Sequence, residues 1–167
     1  MSVEVIGIDH LYLAVSDLQR SEKYYDRIMP FLGFRKNSFQ NEGDLHIQYY
    51  NRHFGFVLRP AHTKSAHDPL APGLHHFCFR VEDCAAVDRV AKRFSELGIE
   101  CSAPRLYPEY APDYYAIFFR DPDDAEIEWR SAGLRSGVSG SGSCKGAVPE
   151  AGAPVAVSCA RMDSNRS

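Results

Sequence analysis

No apolar run in these 167 residues approaches the roughly 20 consecutive residues that a membrane-spanning helix requires. The opening stretch MSVEVIGIDH has neither the basic start nor the apolar core of a secretory signal, so a cytoplasmic protein is expected. Charge of one sign is scarce as well. A formal net charge of −3 gives no electrostatic reason for a nucleic-acid or anionic-membrane partner. Five cysteines are present (Cys78, Cys84, Cys101, Cys144, Cys159), but in no zinc or redox spacing. Without an export signal they read as free thiols in a reducing compartment. What remains is ordinary: 44% apolar and 25% charged residues, enough for one globular domain with a proper core.

Inside that domain the sequence repeats. His10-Leu11-Tyr12-Leu13-Ala14-Val15-Ser16-Asp17 is a histidine, an apolar strand and Val-x-Asp. His76-Phe77-Cys78-Phe79-Arg80-Val81-Glu82-Asp83 has the same pieces, and 66 residues separate both the two histidines and the two aspartates. A repeat in phase over a whole element implies two copies of one supersecondary unit.

Strand alternation over residues 6–15 puts His10, Tyr12 and Ala14 on one face and Leu11, Leu13 and Val15 on the other. Ser16 or Asp17 then caps a helix carrying Tyr24, Tyr25, Ile28, Met29 and Leu32, which Pro30 ends or kinks and Gly33 closes. Phe34 to Asn37, Leu45 to Asn51 and Phe54 to Arg59 read as three strands. The linker 60–73 holds three prolines and no periodicity. Module two repeats the plan: strand 75–81, Asp83 as cap, a helical stripe of Val87, Val90, Ala91, Phe94 and Leu97, then Gly98. Its strands are Ile99 to Ser102, Tyr114 to Arg120 and Glu126 to Arg130, with a turn at Asp121 to Asp124. The expected organisation is therefore one α+β domain over 1–132, with module one at 5–59 and module two at 74–130. Residues 133–167, rich in Gly, Ser, Ala and Pro, are expected to form a disordered tail.

Two histidines at equivalent repeat positions converge on one cavity if the modules pack about a pseudo-twofold axis. A carboxylate to complete a metal site comes from the last strand, where Glu126 and Glu128 share a face and parity does not choose between them. Arg130 shares that face and can neutralise one of them. His75 faces away from His76, while His46, His53, His62 and His67 fall on exposed strands or the linker. Tyr12, Cys78, Tyr110, Tyr115 and Phe118 are the candidate cavity lining, with Tyr107 and Tyr114 as further candidates at the cup mouth.

The chain resembles the vicinal oxygen chelate superfamily, which includes glyoxalase I, extradiol dioxygenases and the fosfomycin and bleomycin resistance proteins. IDHLYLAVSDLQRSEKYYDRIMPFLGF, GLHHFCFRVED and YYAIFFRDPDDAEIEW carry the resemblance, which spans about residues 5–130. It implies two tandem βαβββ modules forming an open mixed-sheet cup. It also implies metal ligands on first and last strands: His10, His76 and Glu128. Glu126, or a metal-bound hydroxide, is the candidate proton acceptor. Two departures stand out. The last strand of module one, Phe54 to Leu58, offers no acid in any register, so a four-ligand glyoxalase I site is incomplete. A ring-cleaving signature wants Tyr where Phe118 stands and a histidine upstream, where residues 110–115 have none.

The leading expectation is an enzyme that uses a divalent metal (Fe, Mn, Ni, Co or Zn) to chelate a small molecule through vicinal oxygens. Lyase or isomerase chemistry ranks above dioxygenase chemistry. A homodimer is expected, and because relatives exchange modules between chains the cup closes either within one chain or across the dimer. The alternatives are a metal-free cup that sequesters an aromatic compound, and a dimerising domain with relic ligands.

Overall fold

The computed structural model describes residues 2–63 and 65–132; the expected tail, with Cys144 and Cys159, lies outside them. Module one runs β1 (His10–Val15), α1 (Leu18–Tyr25), β2 (Arg35–Asn41), β3 (Asp44–Tyr50) and β4 (Gly55–Pro60). Module two runs β5 (His76–Val81), α2 (Cys84–Glu96), β6 (Arg105–Leu106), β7 (Tyr115–Arg120) and β8 (Glu126–Ser131). The strand orders are β1-β4-β3-β2 and β5-β8-β7-β6, with the first strand of each module parallel to the last. Two βαβββ modules are thus present, as the repeat implied. No helix among the described residues is long and apolar enough to cross a membrane.

Both helices start the same way. Asp17 Oδ1 accepts from the Arg20 N–H at 3.0 Å, and Asp83 Oδ1 accepts from the Ala86 N–H at 2.7 Å, so the second member of the Ser16/Asp17 alternative is the cap. They also close alike, although α1 stops regular hydrogen bonding at Tyr25 and continues in turns to Gly33. The Phe34 N–H reaches Met29 O at 3.1 Å, and the Ile99 N–H reaches Phe94 O at 2.8 Å. Each wraps over a left-handed glycine, Gly33 at φ 78° or Gly98 at φ 65°.

Three expectations shift. The first strand begins at His10 instead of residue 6, and Val3, Val5, Ile6 and Ile8 stand 71–95% exposed. Ile99 to Ser102 does not form a strand. Cys101 makes one bridge to Phe119, the Ser102 hydroxyl accepts from the Phe118 N–H at 2.9 Å, and pairing resumes only after Pro104, which has no N–H to give. His46 is not on an exposed strand surface. It is 1% exposed, stacked on Phe39 at 5.1 Å and edge-on to Tyr12 at 5.9 Å.

One core joins the modules. Leu11, Leu13 and Phe56 turn toward α1, and Phe77 and Phe79 turn the same way in module two. Across the boundary Phe54 meets Phe79 at 5.4 Å and Phe56 meets Phe77 at 5.5 Å, while Phe79 stacks on Trp129 at 4.1 Å. Burying such aromatics gives about 1.5–3 kcal/mol each, so this seam fixes how the modules sit together. A polar latch adds to it: Tyr25 donates to the buried Asp121 carboxylate at 3.1 Å, and Ser16 and Arg20 bind Asp123.

The β7–β8 turn places Asp124 at φ 63°, a left-handed conformation that favours glycine. Asp124→Gly is expected to raise stability by about 0.5 kcal/mol, the relieved strain being partly offset by the entropy of a freer unfolded chain. Chemical denaturation checks this; a loss of stability would contradict it.

Candidate functional site

Strand parity puts both histidines on the faces opposite the shared core. In module two the concave face consists of three rows set by register, each roughly 7 Å from the next along the strands. His76 lies beside Glu126 and Arg120, Cys78 beside Glu128 and Phe118, and Arg80 beside Arg130 and Ala116. Glu128 is the buried member, 2% exposed, and its Oε1 has no hydrogen-bond partner. The parity tie between the glutamates is therefore broken by burial: Glu126 is only half-buried and stands 4.0 Å from Arg120. Arg130 neutralises neither. Its guanidinium lies over the Tyr114 ring at 4.2 Å.

Two ionisable side chains, Cys78 and Tyr114, border Glu128. The Cys78 thiol is pushed up to about 12, first by desolvation and then by the Glu128 charge, although part of its surface opens to solvent. The Tyr114 phenol is held well above its ordinary range by burial and by hydrogen bonding to Glu128. The thiol and the phenol both border this carboxylate, whose Oε1 is left without a partner among the described residues. Cys78 and Cys101 are free thiols, as expected, whereas Cys84 is disulfide-bonded, which corrects the reading for that residue.

Each candidate histidine is engaged at one ring nitrogen only. Nδ1 of His10 meets Asp9 Oδ2 at 2.9 Å, and Nδ1 of His76 meets Nδ1 of His75 at 2.7 Å. Fixing Nδ1 leaves Nε2 for a ligand, the arrangement usual for metal-binding imidazoles. His75, which strand parity turns to the other face, thus touches His76 through its ring.

On module one, His10 opens onto a cavity of about 350 Å³ with Tyr12, Asn37, Gln48, Tyr50 and Arg52 on its walls. Val57 pairs with Tyr12 as Glu128 pairs with Cys78, so a valine occupies the place of the missing acid. Gln48 lies across from Val57, and its amide approaches His10 because residue 55 is glycine. A Cβ at Gly55 would stand 3.3 Å from Gln48 Nε2 and 3.6 Å from His10 Cβ.

Of the other candidates, Tyr12 and Tyr110 are 42% and 55% exposed, and Phe118 packs against Tyr107 at 5.0 Å. Tyr115 turns the other way, donating to Asp88 of α2 at 2.7 Å, and its neighbour Tyr114 takes the cup side. Parity held that signal, since Tyr114 is four residues from Phe118 and Tyr115 three. His62, in the linker, binds Asp44 at 2.6 Å. Among the described residues no three His, Cys, Asp or Glu side chains gather as a metal cluster within one chain. His10 and His76 sit on β1 and β5, each at the edge of its own sheet.

Comparison with known proteins agrees with this architecture. YqjT, an uncharacterised protein of Bacillus subtilis (strain 168), is 25% identical over 123 residues, covering 71% of this chain and 94% of its own. A glyoxylase/bleomycin resistance protein/dioxygenase domain from Frankia sp. EAN1pec superposes with TM-score 0.65 at 22% identity, covering 78% of this chain and all of that one. A variant of the fosfomycin resistance protein FosX from Listeria monocytogenes, complexed with Mn(II) and a dihydroxypropylphosphonic acid, superposes with TM-score 0.54 at 18% identity. That match covers 76% of this chain and 93% of FosX. A family model matches residues 7–129, and the chain belongs to the Glyoxalase/Bleomycin resistance protein/Dioxygenase superfamily.

Proposed function

We propose that the protein is a divalent-metal-dependent enzyme that chelates a small molecule through adjacent oxygens. In this reading two copies build each site, with His10 from one chain and His76 and Glu128 from the other. The buried Glu128 Oε1 carries the reading: Tyr114 reaches the carboxylate but this oxygen has no donor among the described residues, a cost that a cation returns. Both histidines lie on β1 and β5, edge strands whose outer sides meet no strand among the described residues. The bare apolar residues Val3, Val5, Ile6 and Ile8 lead into β1, and a second copy would cover them.

Two imidazoles and one carboxylate suit iron, manganese, nickel, cobalt or zinc and leave positions open for substrate. The metal, when bound, supplies Lewis-acid stabilisation of negative charge developing on the substrate oxygens. The chain's own residues do the rest. Asp9 and His75 orient the imidazoles, Glu126 accepts a proton, and Tyr114, kept neutral, donates a hydrogen bond beside Glu128. Lyase or isomerase chemistry is favoured over ring cleavage because Phe118 offers no hydroxyl where the ring-cleaving signature wants one. The second reading, a metal-free cup for an aromatic compound, draws on the exposed rings of Tyr12 and Tyr110.

Metal analysis of protein purified without added metal or chelator tests the proposal. About one metal per chain is expected, lost in His10→Ala and in Glu128→Ala. Iron with oxygen uptake would move the reading to a dioxygenase. Protein that stays empty when offered each ion would leave the sequestering cup.

A further inference from the structure

Arg80 and Arg130 are direct cross-strand neighbours in β5 and β8, on the concave face one row beyond Cys78 and Glu128. Like charges placed directly opposite destabilise a sheet. A surface arginine ordinarily escapes that cost by pairing with an acid, and the fold does this elsewhere on the same faces. Arg59 of β4 reaches Asp44 at 3.8 Å, and Arg120 of β7 reaches Glu126 at 4.0 Å. Arg80 has no hydrogen bond, ion pair or ring contact among the described residues. Arg130 has only the carbonyl of Ser131 and the ring of Tyr114. Two arginines are therefore adjacent in register, and neither is paired with an acid among the described residues.

The surroundings suit a small guest. Ala116 completes the row, and the Tyr114 ring, two residues before it, holds the Arg130 guanidinium on its face at 4.2 Å. A guanidinium fixed on an aromatic face keeps its donor edge pre-organised for a planar or tetrahedral oxyanion. Against the single carboxylate of Glu128, two guanidiniums leave the end of the cup positive.

We propose that Arg80 and Arg130, with Tyr114 as floor, form an oxyanion-receiving subsite. The ligand of this cup then carries a carboxylate, phosphonate or phosphate group. The inference deepens the reading of a small-molecule site on this face and names its substrate class. Row spacing sets the reach: the anionic group lies roughly 7 Å along the strands from the level of Glu128, a few bonds from the oxygens next to the metal. The receptor itself needs no metal.

The test uses the full-length protein with excess chelator, so that it does not depend on metal loading, and inorganic phosphate as probe. Calorimetric titration and thermal shift are measured against sodium chloride at matched ionic strength. Wild-type protein is expected to bind phosphate above the chloride control. Arg130→Met is expected to weaken binding about tenfold and Arg80→Met several-fold, the loss typical of a charge-assisted contact. Arg59→Met, which removes an arginine already paired with Asp44, keeps wild-type affinity. Arg80→Met should also raise the melting temperature of the ligand-free protein, by about 1–3 °C, by relieving the facing charges. The proposal is overturned if phosphate does no more than chloride, or if Arg59→Met weakens binding as much as Arg130→Met. Phosphate binding without metal binding would sink the metal reading and leave this subsite standing.

Discussion

Asp121→Ala is expected to cost about 3 kcal/mol of unfolding free energy, the largest single-residue effect on stability in this account. The carboxylate is 5% exposed and serves two structures at once. It accepts the N–H groups of Asp123 at 2.8 Å and Ala125 at 2.9 Å, closing the β7–β8 turn. It also accepts the Tyr25 hydroxyl from α1 at 3.1 Å, tying module one to module two. Removing it strands three donors at a buried junction, and leaving a buried donor unmet costs about 1–3 kcal/mol. In a domain of this size that lowers the melting temperature by roughly 6–12 °C. Tyr25→Phe, which removes only the inter-module bond, should cost about 1 kcal/mol.

The same carboxyl gives a pH signature. Burial outweighs its hydrogen bonds and holds Asp121 above the ordinary 3.8. A carboxyl raised in the folded state favours folding while protonated. Its contribution is full below about pH 3.8 and is lost as the pH rises through the folded value. Asp121→Asn should remove that decline from the stability profile between pH 4 and neutrality. An unchanged profile would show that Asp121 titrates as it does in the unfolded chain.

The sequence disclosed the fold through positions where local chemistry and periodicity agree. Asp17 and Asp83 cap, Gly33 and Gly98 close, and the stripe Val87, Val90 and Phe94 buries one face of α2. Local signals failed where a distant partner decides. His46 is covered by Phe39 from β2 and Tyr12 from β1, neither of which its own neighbours announce. The lost strand at Ile99 to Ser102 turns on the Ser102 hydroxyl and Pro104 interrupting the ladder, a conflict that strand propensity does not register.

The candidate site was legible to a similar depth. His10, His76 and Glu128 stand out from the repeat and the family resemblance, yet which glutamate is buried depends on the cover from Tyr114 and Cys78. The unpaired state of Arg80 and Arg130 is invisible until strand register sets them side by side. Nor can composition tell that both histidines face away from the seam of Phe54, Phe56, Phe77 and Phe79. That placement is the reason for proposing a site built by two copies.

The most direct test is complementation between two defective chains. His10→Ala and Glu128→Ala are each expected to bind essentially no metal. In a twofold dimer whose sites take His10 from one chain and His76 with Glu128 from the other, a mixed dimer of the two variants keeps one intact site. Unfolding and refolding an equimolar mixture makes half of the dimers mixed. Metal content should then return to about one ion per four chains, against about one per chain in wild type. If wild type is loaded and the refolded mixture stays as empty as each variant alone, the site lies within a single chain and the two-copy account is wrong.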